Sequence, residues 1–326
     1  MKFLITRLSS VGDIVLITPV IRCLKKKDPG AIIHFLTRPG FGFIVSSNPY
    51  INEVIYLQSD FKRTLEEIKS HEYDHIIDFH RELFTNDVRK YRGHPIFHLI
   101  SKRSIKKPNL FFAHFSRKPK KHLVDQYFEK LSALGIQKDG QGLDYFIDEK
   151  HKVKTDDIPL SHSHGFVAIS INVAHFTRRL PVIKLVELVS EINFPVIIIG
   201  DIDDADIGET IAAVDPIKIY NACGKFSMNE TADIIQRSTL VISHDSFHIP
   251  VASAFKKNII SVWGNTVPAF GNVPYQSPYK IFEINKLWCR PCSSSGFKAC
   301  PLGHFKCMNK QDMKLIASSL HSFVKK

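Results

Sequence analysis

Lys2-Phe3-Leu4-Ile5-Thr6-Arg7-Leu8-Ser9-Ser10-Val11-Gly12-Asp13-Ile14-Val15-Leu16-Ile17-Thr18-Pro19 is the stretch on which the fold turns. Within its first five residues, Phe3-Leu4-Ile5 form a continuous apolar run rather than an alternating one. That pattern predicts a strand covered on both faces, as in a parallel sheet. A tight turn follows, then a helical period over residues 14–26. Strand, turn and helix open a βαβ unit, whose return to the next parallel strand is right-handed. Gly12 allows close approach of the backbone where the helix begins. Asp13 falls in the first turn, where the exposed N–H groups favour negative charge. Two readings of Asp13 stand side by side: a residue that complements the helix dipole, or a carboxylate presented to a ligand. The Gly-x-Gly-x-x-Gly spacing of a dinucleotide turn is missing, which argues against a nicotinamide enzyme.

The same alternation runs outward from this unit. Further strands are predicted at 31–37, 53–57 and 74–79, with an amphipathic helix at 61–70 between them. A second series has strands at 166–171, 195–200, 217–221, 240–243 and 259–263. Helices are predicted at 181–191, 204–213, 229–237 and 247–255. The chain of 326 residues suits two domains of ordinary size. The fold class is therefore α/β: two facing Rossmann-like domains with parallel sheets. The predicted boundaries are 1–150 for the first domain, 151–164 for a polar linker and 165–310 for the second. Residues 311–326 should form a terminal helix able to cross back to the first domain. Ligands of such sheets sit at the carboxyl ends of strands and at helix N-termini.

Composition narrows the class. Apolar residues make 44% of the chain and charged residues 23%, as in ordinary globular domains. No run of about 18 uncharged apolar residues predicts a membrane-spanning helix. Arg7 and Asp13 interrupt what might pass for a signal-peptide core, so a cytoplasmic protein is expected. The net charge is +12, and residues 88–123 hold eleven Lys and Arg with no acid. Tyr91, Phe97, Phe111, Phe112 and Phe115 are interleaved. This tract reads either as a solvated face or as a surface for an anionic acceptor or an anionic membrane. No nucleic-acid-binding motif accompanies it, so no nucleic acid is expected as a partner.

Six cysteines are present. Cys23 and Cys223 lie in apolar contexts and read as buried thiols. Cys289, Cys292, Cys300 and Cys307 form a Cys-x2-Cys-x7-Cys-x6-Cys cluster. Structural or substrate-lining thiols, a zinc site with His304 as a substitute ligand, and disulfides are the alternatives. No cofactor is expected.

The run from Arg7 to Pro19 resembles the N-terminal signature of glycosyltransferase family 9, the lipopolysaccharide heptosyltransferases. The likeness continues through Asn48-Pro49-Tyr50-Ile51-Asn52-Glu53-Val54, Asp125-Gln126-Tyr127-Phe128 and Gly142-Leu143-Asp144-Tyr145-Phe146. It goes on through Thr177-Arg178-Arg179-Leu180-Pro181, Ile260-Ser261-Val262-Trp263-Gly264-Asn265-Thr266 and Gly303-His304-Phe305-Lys306-Cys307-Met308. The resemblance implies a GT-B fold, with acceptor on the first domain and nucleotide-sugar donor on the second. It implies Asp13 as general base in an inverting, metal-independent transfer from a donor such as ADP-heptose. The acceptor would be a lipopolysaccharide core or another lipid-linked saccharide, reached at the inner face of the inner membrane. Thr177, Arg178, Arg179, Asp245, Ser246 and Thr266 are the implied donor residues; Ser10, Gly12, His80 and Arg81 are the expected acceptor residues. The chain departs from the family's Asp-Thr-Gly-x-x-His pattern at Asp245-Ser246-Phe247-His248-Ile249-Pro250. That departure opens an alternative: a non-catalytic nucleotide-sugar or saccharide-binding protein of the same fold.

Overall fold

A computed structural model describes residues 1–80, 96–100 and 121–323. Arg81 and most of the basic 88–123 tract lie outside the described residues. The described residues form two compact units, 1–80, 96–100 and 121–146 in the first and 147–323 in the second.

The first unit is a five-stranded parallel sheet of β1 (Lys2–Thr6), β2 (Ile32–Thr37), β3 (Glu53–Tyr56), β4 (His75–Asp78) and β5 (Ile96–Leu99), in the order β3-β2-β1-β4-β5. Strand β1 is central because its apolar run has no wet face: Leu4 and Ile5 are fully buried. Leu4, Leu8, Leu36, Ile55, Ile68, Tyr73 and Ile76 pack as one cluster. The strand order reverses between β1 and β4, where Thr6 lies beside Asp78. Such a reversal opens a crevice at the strand ends.

The single helix expected over 14–26 is two helices, α1 (Val11–Val15) and α2 (Thr18–Lys27). Pro19 has no N–H to give the Val15 carbonyl, and the Thr18 hydroxyl takes that carbonyl instead, at 2.8 Å. Helix α2 carries Arg22, which is buried. It donates to both carboxylate oxygens of Asp139, at 2.7 and 2.9 Å, and to the Gly142 carbonyl, and it pairs with Asp144. The Gly142–Asp144 motif is thus accounted for by packing. After α3 (Phe61–Ser70), helix α4 (Leu123–Lys130) buries Val124, Tyr127 and Phe128.

The second unit is a six-stranded parallel sheet, β11-β10-β9-β6-β7-β8. Its strands are β6 (Val167–Ser170), β7 (Val196–Ile199), β8 (Ile219–Asn221), β9 (Leu240–His244), β10 (Asn258–Trp263) and β11 (Tyr279–Glu283). Its helices are α5 (Val182–Glu191), α6 (Ala205–Ala212), α7 (Met228–Arg237), α8 (His248–Ala254), α9 (Lys306–Asn309) and α10 (Met313–Ser318). Strands β5 and β11 were not anticipated; both are short edge strands. The expected linker is packed rather than open. Val153 and Ile158 are buried, the Val153 N–H donates to Asp233, and the His162 ring reaches the Val196 and Lys218 carbonyls. The described terminal helix, α10, belongs to the second unit. Met313, Ile316 and Ala317 of α10 are buried in the second core, and Lys314 reaches Glu191 of α5. Three apolar residues on one face fix it there. The reversal of strand order falls between β6 and β9, with Ser170 beside Ser243.

Candidate active site

Polar side chains gather at the switch point of each sheet. In the first unit, the chain leaves β1 at Arg7 and turns through Ser9 and Ser10 into α1. Ser10 is exposed, and its carbonyl accepts from the Ile14 N–H at 3.0 Å. Gly12 is buried and Asp13 half-buried. Arg7 sits on the crevice wall, only 8% exposed. Its guanidinium pairs with Asp13 and also donates to the carbonyls of Ser9 and Phe79. Asp13 is therefore clamped by the Arg7 guanidinium as well as favoured by the helix start. From β4, the Asp78 carboxylate accepts from the Thr6 hydroxyl at 2.9 Å and the His80 N–H at 2.8 Å. His80 follows directly, half-buried. From α4, Tyr127 packs edge-on against Phe79. Burial pushes its phenol well above the usual range, and the nearby Asp13 carboxylate adds to the effect. Arg7 and Tyr127 were not singled out from the sequence. A charged residue at the end of a buried strand was the available signal for Arg7; Tyr127 entered only within the Asp125–Phe128 segment that carries the resemblance.

In the second unit, the turn after β6 carries Thr177, Arg178 and Arg179. Four of the six expected donor residues come together there. Arg178 pairs with Asp245 at 2.8 Å, and Asp245 also accepts from the Thr266 hydroxyl at 2.8 Å. Thr177 is buried and bound to the 293–297 loop: its hydroxyl accepts from the Phe297 N–H at 2.8 Å. Its carbonyl accepts from the Asn265 N–H at 3.4 Å. This close approach needs Gly264, since a β-carbon there would lie 2.7 Å from the Thr177 carbonyl oxygen. Arg290, buried below, donates to the Gly264 and Thr266 carbonyls and fixes the loop after β10.

Arg179 turns away from Asp245. It pairs with Asp204 at 3.0 Å and donates to the Val173 carbonyl. Ser246 joins through a side-chain chain: Ser243 to Ser246 at 2.8 Å, and His248 to Ser170 at 2.7 Å. At the start of α8 the His248 N–H donates to the Ser246 hydroxyl at 3.2 Å. His244 and His248 were not assigned a role from the sequence. Both are buried, and burial drives each imidazole down to about 3; the Arg179 and Arg178 cations depress His244 further. The neutral His244 ring accepts from the Leu180 N–H through Nε2 at 2.9 Å, which ties β9 to the arginine turn. Phe247, in place of the family glycine, lays its ring on His248 with centroids 3.9 Å apart.

Two parallel α/β units, each with charged side chains at its switch point, define a Rossmann-like protein built to hold polar ligands. The model of glycosyltransferase family 9 (heptosyltransferase) matches residues 62–301, and the chain belongs to that family. It is a glycosyltransferase of the GT-B fold class. Lipopolysaccharide heptosyltransferase 1 of Campylobacter coli is 24% identical over 318 residues, covering 88% of this chain and 90% of that protein. The family 9 glycosyltransferase of Veillonella parvula superposes with a TM-score of 0.79 at 20% identity, covering 99% of this chain and 96% of that one. The E. coli heptosyltransferase WaaC, solved with ADP-2-deoxy-2-fluoro heptose, gives 0.71 at 16% identity, covering 99% and 100%. These two likenesses concern the fold.

Proposed function

We propose that this glycosyltransferase moves a heptose, or a similar sugar, from a nucleotide-sugar donor to a lipopolysaccharide core or other lipid-linked saccharide. ADP-heptose is the donor proposed. The observation that carries the reading is the contrast in charge between the switch points: a clamped carboxylate, Asp13, in one unit and the Arg178 turn in the other. The lipopolysaccharide relatives named above support the acceptor class, and the fluoro-heptose complex of WaaC supports the donor class.

In this mechanism Asp13 takes the proton of an acceptor hydroxyl as that oxygen attacks the anomeric carbon. General-base assistance of this kind contributes about 10²–10⁴-fold. Attack opposite the leaving group inverts the anomeric centre. Ser10, Gly12 and His80 border the acceptor, with Arg81 beside His80 in sequence. The leaving diphosphate accumulates charge on its oxygens, and Arg178, whose planar fork suits phosphate, neutralises it. Thr177 and Thr266 position the turn, Arg179 adds positive potential, and Ser246 lends a hydroxyl. Asp245 holds Arg178 until the diphosphate competes for it. The basic 88–123 tract meets anionic groups of the acceptor or of the membrane's inner face, each basic residue adding on the order of 1 kcal/mol.

The test is a thermal-shift series with ADP and ADP-heptose, followed by a transfer assay with the product's anomeric configuration read by NMR. A ligand at 100-fold above its Kd stabilises by about 2.7 kcal/mol. Stabilisation together with an inverted product is expected. Stabilisation without turnover, over a panel of donors and acceptors, would move the protein to the binding-only reading.

A further inference from the structure

The chemistry proposed above leaves several ligand-type side chains unused. Cys289, Cys292, Cys300 and Cys307 are free thiols. The donor atoms that converge lie in the other unit. Among the described residues, His34, Glu53 and His71 each bring one ligand atom within 4.8 Å of the others. His34 and Glu53 are register partners on the neighbouring parallel strands β2 and β3, so their side chains share a face. Ile68 of α3 packs with Leu36 and Ile55, two residues further along that face, and this brings the end of the helix over the pair. His71 caps that end. Lys2, which opens β1, also reaches this corner. It is therefore at the amino ends of the strands, opposite the end that Asp13 follows.

His34 is buried, and both edges of its ring are engaged. Nδ1 lies 2.8 Å from the Tyr73 hydroxyl, and Nε2 lies 3.4 Å from Glu53 Oε2. Ligand atoms on one tetrahedral ion, with bonds of about 2.0–2.1 Å, stand about 3.4 Å apart. With Nδ1–H donating to Tyr73, the Nε2 lone pair is left for an ion. A partner on the far ring nitrogen is the usual device for aiming a ligating histidine. Burial, against the opposing pull of Glu53, holds the His34 imidazole below its ordinary value, in the neutral form a ligand must have. The His71 ring stands 4.8 Å from that of His34, at 89°. Two imidazoles sharing one tetrahedral ion have centroids about 5 Å apart. The carboxyl end of α3 adds negative partial charge. A cation is already drawn there: Lys2 Nζ sits 3.3 Å from His71 Nδ1 and 5.5 Å from the Tyr73 ring centroid.

We propose that His34, Glu53 and His71 bind one divalent ion of the zinc class in exchange for the Lys2 ammonium, with the fourth position left to water. Two imidazoles and a carboxylate suit zinc, nickel or copper over magnesium or calcium. Glu53, whose side chain is 47% exposed, turns onto the ion, while the His34 ring stays as Tyr73 holds it. Lys2 competes with the ion and withdraws to solvent on its flexible stem. The ion ties β2, β3 and the end of α3 together. It stabilises the first unit and takes no part in transfer.

This site is tested without any glycosyl donor. The full chain is equilibrated with zinc at buffered free concentrations under reducing conditions, and bound zinc is counted by mass spectrometry. Any zinc held by thiols is common to every variant, so the difference between variants reports this site. The wild type should hold about one more zinc per chain than His71→Gln or His34→Gln, and zinc should raise its Tm more than theirs. His71 is half-buried, so His71→Gln carries the test if the buried His34→Gln fails to fold. Lys2→Met removes the competing ammonium and should lower the zinc Kd of the site about 10-fold. Tyr73→Phe removes the partner of Nδ1 and should raise that Kd about 10–100-fold. Equal zinc uptake by the wild type and a folded His71→Gln, or a Kd that Lys2→Met leaves unchanged, would overturn the proposal.

Discussion

The two switch points use the same topology for opposite electrostatics. At β1/β4 Arg7 clamps a carboxylate that stays partly in reach of water, with the Asp13 side chain 16% exposed. At β6/β9 Arg178 and Arg179 flank the buried, neutral His244, whose ring ties β9 to the arginine turn through the Leu180 N–H. On the proposed function, the first site accepts a proton and the second takes up negative charge. The scaffold is nearly constant; the few residues after each central strand set the sign. This follows from the parallel sheet, which aims strand ends and helix starts at one crevice and leaves its chemistry to the loops.

That contrast can be broken from either side. Asp13→Ala should lower the transfer rate by about 10²–10⁴-fold, the range of a lost general base, with native circular dichroism retained. A variant that turns over at the wild-type rate would remove the proton-accepting role from the first unit. Arg178→Ala should weaken the donor by about 10–100-fold, since it removes a charge-assisted contact and strands Asp245. Calorimetric titration with ADP reads this directly. Arg7→Lys keeps the charge beside Asp13 but cannot reach the Ser9 and Phe79 carbonyls together, so a drop of about 10-fold in kcat is expected with KM for the donor little changed.

The smallest effect is one of pH. His244 and His248 have folded values near 3, below the unfolded value of about 6.5. The unfolded chain therefore binds more protons between those limits, and stability falls as pH drops below about 6.5. Thermal melts from pH 7.5 to 5 should show the decline. His248→Asn, which keeps an acceptor for the Ser170 hydroxyl, should make it shallower.

Much of this was legible in the sequence because the relevant signals are local. Unbroken apolar runs announced parallel strands, and the family resemblance pointed to the turns that follow them, in which Thr177, Arg178, Asp245 and Thr266 lie together. What was hidden depends on contacts distant in sequence. The Arg7 clamp needs the carbonyl of Phe79, 72 residues away, and the Thr177 anchor needs Phe297, 120 residues away. The break between α1 and α2 was hidden differently, because a proline is tolerated in a helix's first turn and its position leaves open which helix it starts. The partner of the terminal helix was not legible, because amphipathic period says that a face will be buried, not against what.

The most direct measurement of the division of labour is the donor Kd of Asp13→Ala and Arg178→Ala, titrated side by side against ADP-heptose. The account predicts a wild-type Kd, within about twofold, for the first and a Kd raised about 10–100-fold for the second. Equal weakening in both, or loss of donor affinity in Asp13→Ala alone, would contradict it.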